Sequence, residues 1–341
     1  MMLIFYFTLI FSTLTALSSN SWIIIWMMLE INLMAFIPIM MLKSFNKINF
    51  LFKYFIIQAI SSSLFLFSIM MLLTMQFNFM NLSMNLVNLM ISIAMIMKMG
   101  MLPFHFWYIE IMMNISWMNF FLMSTWQKII PLLVISFSPL NFILYMSIFF
   151  SSLVSSIQGL YQLNLRKIFT LSSINQTSWL MINSSMSLYL MIFYMIMYMM
   201  ISFNIFFMFN QNNFSYIHEL YILNNFDYSI KIFLFMNILS LAGLPPFIGF
   251  MMKLMSIKFL IFNQLYFLVI WLIISSLMTL YFYLRISYNS FLLINFKIKT
   301  KLINLTLKNY FKMNYFSLKN LIYLFSMINF LILMILIWIF F

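Results

Sequence analysis

Four ionisable residues fall in or beside apolar spans; Glu30, Lys98 and Lys128 have apolar sequence on both sides, and Lys253 lies near a helix end. Glu30 lies in Trp26-Met27-Met28-Leu29-Glu30-Ile31-Asn32-Leu33, and Lys128 in Thr125-Trp126-Gln127-Lys128-Ile129-Ile130-Pro131. Lys98 comes just before Gly100-Met101-Leu102-Pro103-Phe104, and Lys253 follows Gly243-Leu244-Pro245-Pro246-Phe247. An ionisable side chain in hydrocarbon costs about 2.5–3.5 kcal/mol on insertion scales, so such residues usually mark a path for ions or protons. Burial and pairing pull a charged group's proton equilibrium in opposite directions, which leaves it responsive to a neighbouring charge. A proton relay needs that property. The alternatives are a static Glu–Lys pair for Glu30 and, for Lys253, an ammonium that reaches the interface along its own stem.

Other chemistries find less support. The chain has no Cys, which removes disulfides, thiolate metal sites and iron–sulfur ligation. Its two histidines, His105 and His218, both fall near loops, whereas haem held between helices needs paired histidines. His105 reads as a hydrogen-bonding or interfacial group, and His218 with Glu219 and Asp227 as a solvated loop cluster. No G-x-G-x-x-G or G-x-x-x-x-G-K-[ST] run provides a phosphate cradle.

The elements that must position the four residues follow from composition. The 341 residues include 17 Lys and Arg and 4 Asp and Glu, for a net charge of +13; 66% are hydrophobic. A soluble domain needs roughly a quarter charged residues to cover its surface, so a polytopic all-α membrane protein remains. About 20 apolar residues cross about 30 Å of hydrocarbon. Eleven spans meet that requirement: 3–18, 22–42, 52–75, 84–102, 116–137, 141–158, 169–186, 188–209, 231–252, 260–284 and 321–340. The seventh carries Ser172, Ser173, Asn175, Gln176, Ser178 and Asn183 and needs neighbouring helices to satisfy them. With the N-terminus on the positive side, that side receives Lys43, Lys47, Lys53, Arg166, Lys167, Lys231, Arg285 and the lysines at 297, 299, 301, 308, 312 and 319. The opposite loops near 76–83, 138–141 and 184–188 carry no charge, as the positive-inside rule requires; the four basic residues left over are Lys98 and Lys128 inside spans and Lys253 and Lys258 around the end of the ninth. The excess of basic residues therefore reads as membrane topology and not as nucleic-acid binding.

The fourth and ninth spans both contain Gly-x-x-Pro-Phe, at Gly100 to Phe104 with Pro103, and at Gly243 to Phe247 with Pro245 and Pro246. Proline removes a backbone donor and glycine permits the bend, so each helix is expected to break within the membrane, where protein or water must satisfy the freed groups. An ordinary proline kink is the alternative for either one alone. As the fourth members of two five-helix units, the broken helices imply a repeat inverted in the membrane, an arrangement found in secondary-transporter folds. The expected organisation is a single membrane domain: first repeat 1–138, second repeat 139–285, a basic surface loop 286–320 and a last helix 321–341.

At these residues the chain resembles the NADH–ubiquinone oxidoreductase subunit 2 family, antiporter-like membrane subunits of respiratory complex I. The resemblance runs through Ser19-Asn20-Ser21-Trp22, Leu29-Glu30-Ile31-Asn32, Lys53-Tyr54-Phe55 with Gln58, Met97 to Trp107, Thr125 to Lys128, Asn164 to Lys167, Ser172-Ser173-Ile174, Leu239 to Phe247 with Gly249-Phe250, and Tyr281 to Arg285. The C-terminal fifth matches only as a basic loop and a last helix. The resemblance implies a mitochondrial inner-membrane protein with its N-terminus on the matrix side. It implies a proton path through Glu30, Lys98, Lys128 and Lys253, and neighbours that are other antiporter-like subunits and lipids. It also implies no redox chemistry in this chain: NADH, FMN, iron–sulfur clusters and ubiquinone belong to other subunits. The chain departs from the family at Gln176-Thr177-Ser178-Trp179, where relatives often have His-x-Gly-Trp. It departs again at Met252 and Ile109, where proline is usual before Lys253 and Glu110. An independent cation/proton antiporter is the alternative function, and a passive membrane scaffold the third.

Overall fold

The computed structural model describes residues 2–41, 48–75, 81–220 and 228–292; the last expected helix and most of the basic loop lie outside them. The described residues are almost entirely helical: α1 Met2–Ser18, α2 Trp22–Met41, α3 Ile48–Met75, α4 Asn81–Met99, α5 Phe106–Asn114, α6 Trp117–Ser124, a 3₁₀ turn Trp126–Lys128, α7 Ile129–Phe137, α8 Phe142–Leu160, α9 Leu165–Met186, α10 Leu188–Asn212, α11 Tyr228–Ala242, α12 Ile248–Phe262 and α13 Tyr266–Leu292. Helix is what hydrocarbon demands, because it satisfies each backbone group within its own segment. Six described segments are long and apolar enough to cross a membrane, counting Trp117–Phe137 as one. Where connections are tight, side chains cap the ends: Asn164 Oδ1 accepts from Arg166 N at 3.0 Å, and Ser187 Oγ accepts from Leu190 N at 3.3 Å.

The expected boundaries need three corrections. The segment after Pro103 is a helix of its own, α5, because the chain recovers helical geometry at Phe106 once past the proline. The fifth span, expected to be continuous over 116–137, is broken at Thr125 (φ −120°, ψ −70°) into α6, the 3₁₀ turn and α7, although no glycine marks the place. And α13 continues to Leu292, past the expected span end at 284, because nothing in Ile286-Ser287-Tyr288 stops a helix.

The polar span, α9, sits at the centre. Ile168 to Ser184 are buried without interruption, and α5, α7, α8, α10, α12 and α13 pack around it. Its hydroxyls bond back along the helix, as from Ser173 Oγ to Thr170 O at 2.8 Å and from Thr177 Oγ1 to Ile174 O at 2.7 Å. Partners recur at matching places along the chain. In the first half α1 packs on α2, α2 on α3, α3 on α4 and α5, and α7 on α1 and α4. In the second half α8 packs on α9, α9 on α10, α10 on α11 and α12, and α13 on α8 and α11.

The loops at the face where the chain begins are tied by polar contacts. Leu165 N donates to Ser215 O at 2.9 Å and Ile217 N to Leu163 O at 3.1 Å. Arg166 stacks over Trp117, its carbon 5.6 Å from the ring centroid, and donates to Met113 O. Arg285 on α13 holds Leu160 O and Gln162 O. Glu219 is not free in solvent as expected. It folds back to accept from Ser215 N, from Ser215 Oγ at 2.7 Å and from Tyr216 N at 3.2 Å. Partial burial works against its ionised form, but these bonds, with His218 nearby, outweigh it and hold the carboxyl below its ordinary range. A depressed carboxyl stabilises the folded loop at pH values above its unfolded value, about 4.3, and that contribution fades as pH falls through the lower folded value. Hydrogen exchange at Ser215 and Tyr216 should therefore stay slow down to about pH 4 and quicken below it. Glu219→Gln should quicken it at neutral pH; equal protection in the variant would remove the role.

Candidate functional site: a buried chain of lysines and amides

The two Gly-x-x-Pro-Phe breaks have the same backbone. Gly100 (φ +67°) and Gly243 (φ +88°) end α4 and α11 in the left-handed conformation. Gly100 N bonds to Met97 O and Met101 N to Ile96 O, each at 3.2 Å. Gly243 N bonds to Ser240 O at 3.1 Å and Leu244 N to Leu239 O at 3.5 Å. This pairing of a bond across three residues with one across five closes a helix on a glycine and satisfies two of its last carbonyls. A buried glutamine takes the carbonyl two residues before each glycine: Gln58 Nε2 donates to Lys98 O at 3.1 Å, and Gln176 Nε2 to Leu241 O at 3.4 Å. In α11 the last carbonyl, Ala242 O, accepts from Lys253 Nζ at 2.9 Å. The negative end of a half-helix inside the membrane is thereby matched with an ammonium. Lys253 is 6% exposed, so its head is turned into the bundle and does not extend along its stem to the interface.

Lys98 is in the last turn of α4 and 7% exposed. It lines a cavity of about 20 Å³ with Gln58, Tyr108, Asn32, Gln127 and Lys128. That is room for one water among several polar groups. Asn32 and Gln127 close one wall with reciprocal amide bonds, Asn32 Nδ2 to Gln127 Oε1 at 3.0 Å and Gln127 Nε2 to Asn32 Oδ1 at 3.2 Å. Lys128, 2% exposed, ends the 3₁₀ turn. Its Nζ lies 4.8 Å from the Tyr108 ring centroid and donates to Ser173 O at 3.4 Å. Ser173 gives its own proton to Thr170 O, so the 2.8 Å contact between Tyr108 and Ser173 is a bond donated by the tyrosine.

From Ser173, α9 leads toward the second break. One turn on, Gln176 accepts from Tyr194 OH at 2.5 Å while donating to Leu241 O. Ser275 Oγ donates to Asn175 Oδ1 at 3.4 Å. The structure therefore brings Lys98 and Lys128 to one cavity, and leaves Lys253 at the other break with the polar face of α9 between them. Glu30 is half-buried and makes no ion pair within 4.0 Å of Lys98, so direct contact, the static alternative, is not what the structure holds. His105, in the first break, is 5% exposed with its ring against Phe106.

Sequence reasoning missed Asn32, Gln127, Tyr108 and Tyr194. The first two had a signal: each lies within two residues of a charge in an apolar span, and an isolated amide in an apolar helix needs a partner. The tyrosines had none, since aromatics are everywhere in this chain. Among the described residues no three His, Cys, Asp or Glu side chains gather as a metal would require.

Comparison with known proteins identifies the family and the fold. The profile of NADH:quinone oxidoreductase/Mrp antiporter transmembrane proteins matches residues 19–279. The NADH-ubiquinone oxidoreductase chain 2 of Anopheles gambiae is 41% identical over 296 residues, 85% of this chain and 86% of that protein. That of Locusta migratoria is 35% identical over 297 residues, 86% of each. Among solved structures, a chain of respiratory complex I from Thermus thermophilus superposes with a TM-score of 0.75 at 17% identity, covering 82% of this chain and 68% of its own, which speaks for the fold. The chain belongs to the NADH:quinone oxidoreductase/Mrp antiporter transmembrane family, among the NADH-ubiquinone oxidoreductase chain 2 proteins.

Proposed function

We propose that the chain is a proton-translocating membrane subunit of respiratory complex I in the mitochondrial inner membrane. NADH oxidation and ubiquinone reduction occur in other subunits, and this chain binds no redox cofactor. Its lateral partners are other antiporter-like subunits of the complex, together with lipid. It crosses the membrane eleven times with its N-terminus on the matrix side. Residues 1–138 and 139–285 are two inverted repeats, followed by a basic matrix loop and a last helix. The recurrent packing order and the paired glycine-capped breaks support the repeats.

Protons pass along Glu30, Lys98, Lys128 and Lys253. The observation that carries this reading is that three lysines, each under 8% exposed, all sit at helix breaks, two of them lining one cavity and the third separated from them by the polar residues of α9. Ammonium groups held by neutral dipoles and no close carboxylate can be unloaded when a neighbouring charge moves. Displacement of the Glu30 charge is such a step, because it changes what holds the proton on Lys98.

The experiment is native-gel comigration of the chain with NADH:ubiquinone activity, followed by pumping assays on Lys98→Met. The chain is expected in the assembled complex, with Lys98→Met lowering pumping and the exposed Lys258→Gln leaving it unchanged. A chain that migrated and exchanged ions alone would be a free-standing antiporter instead.

A further inference from the structure

Lys53 Nζ on α3 and Glu110 Oε1 on α5 lie 2.5 Å apart, the one ion pair among the described residues, with the two side chains 51% and 50% exposed. The next residue along α3 is Tyr54, 2% exposed; one turn back along α5 is Trp107, 7% exposed. Their ring centroids are 6.1 Å apart, and both rings line the cavity that holds Lys98 and Lys128. Gln58 on α3 and Tyr108 on α5 line it too. The helices joined by the pair at the surface are therefore the helices whose aromatic rings stand between that surface and the lysines. Their sense along the chain puts the pair near the face where the chain begins, since α3 starts there and α5 ends there. The half-helix α5 is nine residues long and is bounded by the break at one end and a turn at the other, so small tilts of it cost few intrahelical bonds.

We propose that the Lys53–Glu110 pair is a latch on the aqueous entrance to the lysine cavity. While it is closed, Tyr54 and Trp107 exclude water from Lys98. When it is open, α5 tilts from α3, the rings part, and water from the N-terminal face can exchange a proton with the cavity. This rests on the proton-path reading for what passes, but not for the opening itself. The absence of native cysteine allows a direct test. Met123, 3% exposed in the cavity wall, is replaced by Cys, and sealed vesicles carrying the assembled complex are treated from each face in turn with a small membrane-impermeant methanethiosulfonate. Glu110→Gln and Lys53→Met should each speed labelling from the N-terminal face about two- to fivefold, the change in opening expected from loss of one half-exposed pair. The charge-exchanged double variant, Lys53→Glu with Glu110→Lys, should return labelling to the slow rate, which a merely damaged fold would not do. Labelling unchanged by either single variant, faster only from the opposite face, or still fast in the exchanged variant would overturn the latch. If labelling responds as expected while Lys128→Arg pumps normally, the entrance stands and the lysine path falls.

Discussion

Lys128→Arg in the assembled complex is expected to lower NADH-driven proton translocation on the order of 10²-fold, the usual contribution of a positioned proton-transfer group. The site is narrow and specific. Lys128 is 2% exposed, with its ammonium between the Tyr108 face and Ser173 O. A guanidinium keeps the charge but is effectively always protonated, so it cannot release a proton to the next group. It is also planar and larger, and the adjoining cavity of about 20 Å³ leaves it little room. Lys128→Met should fail to a similar degree for the opposite reason, because it fills the space with no titrating group. Tyr108→Phe should lose less. It keeps the ring face under the ammonium and removes only the bond to Ser173. Native-gel assembly is read beside pumping, so that loss of transport in fully assembled complex is what counts. Wild-type pumping in assembled Lys128→Arg would end the relay role of this residue.

The second expectation separates the two helix breaks, which share a backbone but not their surroundings. An added Cβ on Gly100 would fall 2.5 Å from Tyr108 Cβ and 2.9 Å from its Cγ, atoms fixed close to the α5 backbone. Gly100→Ala should therefore displace α5 bodily, at about 2–5 kcal/mol when left-handed strain and overpacking add. Assembled complex should fall severely. An added Cβ on Gly243 would meet Lys253 Nζ at 2.8 Å, the far end of a flexible side chain. Gly243→Ala should cost less stability, about 1–2 kcal/mol for the left-handed residue. It should push the ammonium off Ala242 O and lower pumping more than assembly. Blue-native yield and pumping per assembled complex, measured on both variants, decide the matter. Equal, near-normal values for the two would contradict the geometry around both breaks.

The four charged residues were legible because the membrane makes a charge conspicuous. In a chain that is 6% charged, an ionisable residue inside an apolar span has few explanations. The two glycine–proline breaks were legible for a similar reason, since only 4 Gly and 6 Pro occur in the whole chain. The break at Thr125 was not. Its only local sign is Pro131, whose missing N–H and ring position act on the preceding turn and leave the helix to reform after Lys128. The fold class came from composition and span length, which depend on the solvent and not on packing.

Which polar groups meet had to await the tertiary structure. The Asn32–Gln127 pair joins positions 95 residues apart, and Lys128 reaches Ser173 across 45. Glu30 and Lys98 could be assigned opposite charges from sequence, but their separation depends on how α2 and α4 rotate against the helices between them. The polar residues of α9 announced that the helix needed neighbours; only its central place decided that those neighbours carry Lys128 and Lys253. Sequence alone thus determined the medium, the all-helical class and which ionisable residues fall in apolar sequence, because those follow from the local cost of putting each residue in hydrocarbon. Tertiary structure alone decided the order in which those charges and dipoles face one another, because hydrogen bonds act over about 3 Å and nothing along the chain records who lies within that distance.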